Sequence, residues 1–209
     1  MRITMKGHGR KLYSPEEVDL TFRFEYTNKN YKNVFQKGTQ EVSNFVNLIS
    51  NNFDFSKKDF QTNQFQIIED KIYNDTTMNY EIVGYKYLQQ IRLVFPYKKE
   101  RLFRLLEFVS NMESAPFYTV DFNIINKNEK QHEVLELAYD DALAKAQVLA
   151  SKTNKTVKNC LELKIENEDF YVDNYDRSKF YTMASEGVIS FVPQDILLAV
   201  SIVGEWEAS

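Results

Sequence analysis

The sequence contains few of the residues on which disulfide-linked, metal-binding or low-complexity proteins depend. Its 209 residues include one cysteine, two histidines, four prolines and six glycines. Cys160 therefore has no partner for an intrachain disulfide, and no CxxC or HxxxH spacing indicates a zinc site. No run approaches the 18 apolar residues that predict a membrane-spanning helix. These absences favour a soluble globular protein without a metal or cofactor.

A basic surplus is also missing. The chain has 26 basic and 30 acidic residues, a net charge of −4, so we expect no nucleic-acid binding. Residues 1–9 contain no apolar stretch of signal-peptide length, which favours a cytoplasmic location. Cys160 falls in a predicted strand, where we expect an inert core thiol. No linker rich in Pro, Gly or Ser divides residues 1–209, so we predict a single domain, with 166–185 as a surface loop or insertion.

Alternation of apolar and polar residues predicts most of the strands. Residues 18–26 alternate strictly, as in a strand with one buried face. Further strands are predicted at 59–70, 80–95, 117–125, 156–165 and 196–206, with a short one at 2–6. Gly84 is expected to mark a bulge or bend, and Gly7-His8-Gly9 is expected to form a turn or bulge.

Three helices are predicted at 31–53, 97–112 and 129–152 from apolar residues at three- and four-residue steps. Gly38 lies inside the first, where it costs about 1 kcal/mol relative to Ala, and so it indicates close approach to a neighbour. The third helix has a buried stripe of mostly small residues, which predicts tight packing against a sheet. The stripe is expected to comprise Leu135, Ala138, Ala142, Ala146 and Leu149.

The order of these elements predicts an α+β fold. Helices do not alternate one for one with strands, so a mainly antiparallel sheet with about three helices packed on one face is expected. The recurrence of a helix followed by strands suggests two duplicated α+β halves.

Four segments together resemble the SIMPL family of bacterial proteins. They are Gly7-His8-Gly9 with the strand after Pro15-Glu16, the strand centred on Gly84-Tyr85-Lys86, the alanine-rich third helix, and Val192-Pro193-Gln194-Asp195-Ile196. The resemblance implies an α+β fold, a tendency to form oligomers and no established catalysis. It also implies relatives that are often exported, some of them linked to oxidative-stress tolerance. Glu16 stands where the family usually has Asp, and residues 166–185 have no counterpart.

Two sets of residues are candidates for interaction surfaces. Gln64 and Gln66 lie on the polar side of the strand at 59–70, which indicates a sheet edge or a face covered by a partner. The acidic and aromatic stretch at 166–176 is either a recognition loop or a surface hairpin whose aromatic residues pack on the core. Its candidate contact residues are Phe170, Tyr171 and Tyr175.

Asp141 and Lys145 are the candidate structural polar residues. They are four residues apart on the third helix, so they can form an ion pair, and Asp141 lies near the alanine stripe, where it can bond a strand.

Other motifs are interpreted as structural. His132 is expected to be a solvated helix residue, and the basic residues Lys98, Lys99, Arg101 and Arg104 are expected to form a solvated helix face. No G-x-S-x-G sequence supports a nucleophile elbow.

These observations leave three hypotheses. The leading one is a non-catalytic, self-associating SIMPL-like protein that acts as a stress-related scaffold or binding module. The alternative is a small-ligand-binding protein with a pocket between helices and sheet. The third is a hydrolase, which requires a nucleophile and a base within hydrogen-bond reach in a cleft.

Overall fold

The structure is a computed structural model that describes residues 1–76, 78–166, 171–173 and 193–209, with only the backbone of 171–173. The helices are α1 (Tyr31–Phe53), α2 (Lys99–Ser110) and α3 (Lys127–Lys152), and a short 3₁₀ helix spans Lys57–Asp59. The strands are β1 (Arg2–Tyr13), β2 (Glu17–Asn28), β3 (Phe60–Asn74), β4 (Asn79–Pro96), β5 (Phe117–Asn123), β6 (Val157–Ile165), β7 (Tyr171–Asp173) and β8 (Ile196–Ala208).

All described strand pairs are antiparallel, which confirms the predicted α+β class. The strands form two sheets, whereas the sequence analysis expected one. The described residues divide into two compact units, one made of 1–15 and 124–209 and the other of 16–123. The second unit is thus inserted into the first along the chain, so the units are not consecutive halves. The single domain that the sequence predicts for residues 1–209 stays a prediction.

In the inserted unit, α1 packs on a sheet of order β3-β4-β2-β5. The predicted alternation in β2 is confirmed, because Val18, Leu20, Phe22 and Phe24 are all buried. Helix α1 has the predicted bounds, and the Asn30 side chain caps it by accepting hydrogen bonds from two backbone N–H groups of the first turn. The buried apolar residues of this unit thus come from the sheet and from the helices α1 and α2.

Gly38 of α1 lies directly against the ring of Tyr87 of β4. A Cβ atom at this position would be 2.5 Å from the ring carbon Cγ, and Tyr87 is buried. The close approach predicted from this glycine is confirmed. Gly84 lies beside a register irregularity, since Asp70 pairs with Gly84 while Lys71 pairs with Ile82, and this confirms the bulge expected there.

In the other unit, α3 packs on β1 and β8 of a sheet with order β1-β8-β6, in which β7 also pairs with β8. The predicted stripe is right in its middle and wrong at its ends. Val134 and Ala150 are buried in place of Leu135, which is half-buried, and Leu149, which is exposed. The buried positions follow a strict four-residue step, because contact along an i±4 ridge runs obliquely over the helix surface.

The expected turn at Gly7-His8-Gly9 was wrong. These residues lie in the middle of β1 and pair in regular register with Ile202, Ser201 and Val200 of β8. A Cβ atom at Gly9 would overlap the carbonyl oxygen of Val134, and one at Gly7 would lie 2.7 Å from the Cβ of Ala142. The glycines therefore allow α3 to lie directly on the strand, with no space for another methyl group at either position.

Cys160 is exposed, so the expectation of a core thiol was also wrong. Register irregularities flank it on both sides, and every described residue of β6 except Val157 is exposed. β6 is an edge strand that α3 barely contacts, and for this reason its residues are not covered. In the part of the chain that the structure describes, no helix has the length and apolar character needed to span a membrane.

Candidate functional site

The predicted interaction residues Gln64 and Gln66 lie on β3, the edge strand of the inserted unit. They pair with Gln90 and Leu88 of β4, on the sheet face opposite α1. Gln64 is exposed and Gln66 is half-buried. Thr62 lies on the other face, because Asn63 forms a bulge that reverses the alternation. The sheet-edge interpretation of this strand is therefore confirmed.

The hairpin of β3 and β4 extends beyond the rest of the sheet. The last pair between β2 and β4 joins Asn28 to Tyr85, so residues 70–76 and 78–84 are not paired with any β2 residue. We call this extension the arm. Among the described residues, its strands pair only with each other, through Asp70–Asn74 on one side and Asn79–Gly84 on the other. A two-stranded ribbon is marginally stable in water without further packing.

The arm exposes apolar side chains to an unusual extent. Met78 is 80% exposed, Tyr80 67% and Ile72 54%, while Tyr73 and Ile82 are also exposed. Tyr73 and Tyr80 pair across the strands with ring centroids 5.3 Å apart. Sequence reasoning missed these residues, because both faces of the arm are exposed and so its strands show no amphipathic alternation. Two tyrosines and a methionine around the turn at Asn74-Asp75-Thr76 were the available signal.

The two ends of this hairpin differ in charge. The arm has three acidic residues, Asp70, Asp75 and Glu81, and one basic residue, Lys71, which forms an ion pair of 2.7 Å with Glu69. Asn74 donates a 2.7 Å hydrogen bond to Glu81. The arm therefore presents carboxylates together with its exposed tyrosines.

Basic side chains collect at the other end. Arg101 of α2 donates a 3.0 Å hydrogen bond to the carbonyl of Phe53 and stacks over the ring of Phe55, 4.2 Å from its centroid. This contact brings the start of α2 close to the 3₁₀ helix before β3. We call the exposed cations of these two segments the basic end; they are Lys57, Lys58, Lys98, Lys99 and Arg104. They outnumber the two exposed acidic residues of the same segments, Asp59 and Glu100.

Asp141 and Lys145 lie 2.6 Å apart on α3 and bond the backbone of β1. Asp141 accepts a 2.8 Å hydrogen bond from the N–H of His8, and Lys145 donates a 3.1 Å bond to the carbonyl of Lys6. β1 is an edge strand, so these bonds supply partners to backbone groups on its outer side. The hydrogen bond from Lys145, followed by that from His8, lowers the pKa of Asp141.

A second polar group joins the same helix and strand. Tyr13 of β1 is buried, and its hydroxyl donates a 2.9 Å hydrogen bond to Glu133, which also pairs with Lys11 at 2.6 Å. Burial, together with the nearby Glu133 carboxylate, raises the pKa of Tyr13 to about 12. Hydrogen bonds from Lys11 and then Tyr13 lower the pKa of Glu133. Both polar groups of α3 thus hold it to β1, which is a structural role.

The acidic and aromatic stretch is described only in part. Phe170 and Tyr175, two of its predicted contact residues, lie outside the described residues. Tyr171 begins β7, and its backbone pairs opposite Ala199 of β8. Glu166 at the start of the stretch forms an ion pair with Lys6 and donates its backbone N–H to the carbonyl of Ser201 at 3.0 Å.

A histidine and a serine meet on the outer face of the β1–β8 pair. Nδ1 of His8 lies 2.9 Å from Oγ of Ser201, and His8 is exposed. Asp141 binds the backbone of His8, and among the described residues no carboxylate is hydrogen-bonded to its ring. The pair lies on an open sheet face and lacks the third group that orients a catalytic imidazole.

The remaining residues considered from the sequence do not lie together in one site. His132 is exposed, as predicted. Within residues 1–76, 78–166 and 193–209, no group of His, Cys, Asp and Glu side chains is arranged to hold a metal ion. A shallow depression at the start of α3 is lined by Asn126, Lys127, Asn128 and Glu129.

Together these features define an α+β protein of two antiparallel sheets, each covered by a long helix. Polar residues of α3 stabilise the edge strand β1, and the hairpin of β3 and β4 forms an exposed arm. The sequence matches the family model of SIMPL, described as a protein of unknown function (DUF541), over residues 3–206. The chain therefore belongs to the SIMPL family, which confirms the resemblance seen in the sequence. No curated protein is significantly similar to it.

Proposed function

We propose that this protein is a non-catalytic scaffold or binding module that associates with further copies of itself through the arm and the adjacent edge of β3. The observation that carries the proposal is the arm, a two-stranded ribbon with five exposed apolar side chains. A ribbon of this kind gains stability when its apolar residues are buried against a partner.

A comparison of the sheet edges favours β3 as the contact. Side chains of Asp141 and Lys145 bond the outer backbone of β1, which leaves fewer of its edge groups for a further strand. The pairings of β6 and β3 each contain two register irregularities, so length separates these two edges, and β6 has nine residues. β5 has seven residues, whereas β3 has fifteen and leads into the arm. Among the described edge strands, β3 thus offers the longest backbone edge for pairing with another chain.

Light scattering coupled to size-exclusion chromatography, over a range of concentrations, tests the proposal. We expect a mass above the 24.7 kDa of one chain. A shortened variant would replace Ile72–Glu81 by Asn-Gly, a sequence that closes a two-residue hairpin turn, between the directly paired Lys71 and Ile82. This variant should fold and have the mass of a monomer at concentrations where the wild type assembles.

The matched controls separate the arm from exposed aromatic residues in general. Tyr73→Ser with Tyr80→Ser should weaken assembly, whereas Phe117→Ser should not, although Phe117 is 74% exposed on β5 at the opposite edge of the same sheet. A wild-type mass of 24.7 kDa at every concentration would refute self-association. Equal weakening by Phe117→Ser would refute the role of the arm.

A further inference from the structure

The charges at the two ends of the β3–β4 hairpin are opposite. The arm carries Asp70, Asp75 and Glu81, and the exposed cations of the basic end lie where β3 begins and β4 leads into α2. Fourteen steps of about 3.3 Å separate Phe60 from Asn74, so the two ends are on the order of 45 Å apart. This distance exceeds several Debye lengths at physiological salt, and the ends cannot neutralise each other within one chain.

We propose that copies associate head to tail, with the arm of one copy bound to the basic end of the next. This inference rests on the proposed function and adds the partner surface of the arm. Carboxylates beside tyrosine rings are groups that lysine and arginine bind, the first by ion pairing and the second by cation–π contact. The basic end offers five exposed cations, which outnumber its two acidic residues. A second copy of this chain is therefore the occupant that the charges favour.

The charge complementarity distinguishes this contact from one between two arms, in which the carboxylates would repel. A head-to-tail contact is heterologous, so it generates a ring if the rotation closes and a filament if it does not. Its affinity should fall as salt is raised, because the contacting charges lie on the surface.

Two charge-reversal variants test the pairing. In the arm variant, Asp75→Lys and Glu81→Lys make the arm basic. In the basic-end variant, Lys98→Glu and Lys99→Glu place carboxylates at the start of α2, where a helix N-terminus tolerates them. Each variant alone should associate at least about tenfold more weakly than the wild type, because like charges then meet at the contact.

The decisive sample is an equimolar mixture of the two variants. The basic arm of the first can bind the acidic end of the second, and the acidic arm of the second can bind the basic end of the first. Sedimentation velocity should therefore show assembly restored in the mixture, to within about threefold of the wild-type affinity. A single chain that carries all four substitutions should also assemble.

Variants with the same change in charge at other positions serve as controls. Glu136→Lys with Asp140→Lys, on the exposed face of α3, should assemble like the wild type. Circular dichroism verifies that each variant is folded. If the wild type is a monomer, the proposed function itself fails. If the wild type assembles but the reversals have no effect, or if the mixture does not restore assembly, the head-to-tail contact is refuted while self-association stands.

Discussion

Asp141 of α3 accepts a 2.8 Å hydrogen bond from the backbone N–H of His8, a residue 133 positions earlier in the chain. The same carboxylate lies 2.6 Å from Lys145, which in turn bonds the carbonyl of Lys6. One ion pair on a helix thus supplies a donor and an acceptor to the outer side of an edge strand. The arrangement holds α3 on β1 and leaves one N–H and one carbonyl of that edge without capacity to pair with a further chain.

The Asp141 contact should make stability depend on pH. Its pKa is lowered in the folded state, so the unfolded chain binds the proton more tightly. The stabilisation is therefore present above the unfolded pKa of about 3.9 and is lost as the pH falls through the folded value. Asp141→Asn should reduce the free energy of unfolding near neutral pH. It should also weaken the decrease of that free energy in acid, as measured by urea unfolding from pH 7 downward.

Asp140→Asn is the matched control, because Asp140 is adjacent and exposed. We expect it to keep the wild-type acid profile. An unchanged profile in Asp141→Asn would show that the bond to His8 contributes nothing to folding.

Gly9→Ala should strongly destabilise the unit that contains α3. Alanine reduces the entropy of the unfolded chain, which stabilises by about 0.4–1 kcal/mol where the site accepts a Cβ. Here that atom would overlap the carbonyl oxygen of Val134 and lie 2.9 Å from the nitrogen of Ala138, both of them backbone atoms that cannot rotate away. Overpacking of this severity costs about 3 kcal/mol or more. Denaturant unfolding should show a large drop in the midpoint.

Thr4→Ala provides the comparison for Gly9→Ala, because Thr4 is exposed on the opposite face of β1. Its free energy of unfolding should stay within about 0.5 kcal/mol of that of the wild type. A Gly9→Ala midpoint equal to that of Thr4→Ala would mean that α3 does not lie as close to β1 as described.

Features with a local cause could be predicted from the sequence. The bounds of α1 follow from the period of its apolar residues, and the buried face of β2 follows from strict alternation. The Asp141–Lys145 pair follows from a four-residue spacing. Each of these depends on residues within about one turn or one strand of each other.

Features whose cause lies far away in the chain could not be predicted from the sequence. Gly7-His8-Gly9 has the composition of a turn, and only the approach of α3, more than a hundred residues later, explains its place inside a strand. The arm was missed because alternation indicates a strand only where one face is buried. Cys160 was expected in the core because the sequence does not show that β6 lies at an edge which α3 leaves uncovered.

Gly38→Ala should destabilise the inserted unit despite a gain in helix propensity. Alanine favours a helix over glycine by about 1 kcal/mol. The added Cβ would lie 2.5 Å from Cγ of the buried Tyr87 ring, and overpacking costs about 1–3 kcal/mol. The steric cost should exceed the gain, for a net loss of about 1 kcal/mol in chemical denaturation.

A double-mutant cycle with Tyr87→Leu checks the cause of that loss. The smaller side chain provides space for the new methyl group, so Gly38→Ala should be neutral or stabilising in the Tyr87→Leu background. Additive effects would place the strain elsewhere than at the ring.

Tyr13 should make stability fall in alkaline solution. Burial, the hydrogen bond to Glu133 and the charge of that carboxylate raise its folded pKa to about 12, against about 10 in the unfolded chain. The unfolded chain therefore releases the proton first, and the stabilisation is fully present below pH 10 and lost as the pH rises through about 12. Tyr13→Phe removes the ionisable group, so the free energy of unfolding of this variant in urea should decline less over that interval than that of the wild type.

Tyr80→Phe, at an exposed tyrosine of the arm, is the control and should keep the wild-type decline. If Tyr13→Phe declines as steeply as Tyr80→Phe, the Tyr13 hydroxyl is not held between β1 and Glu133 in solution.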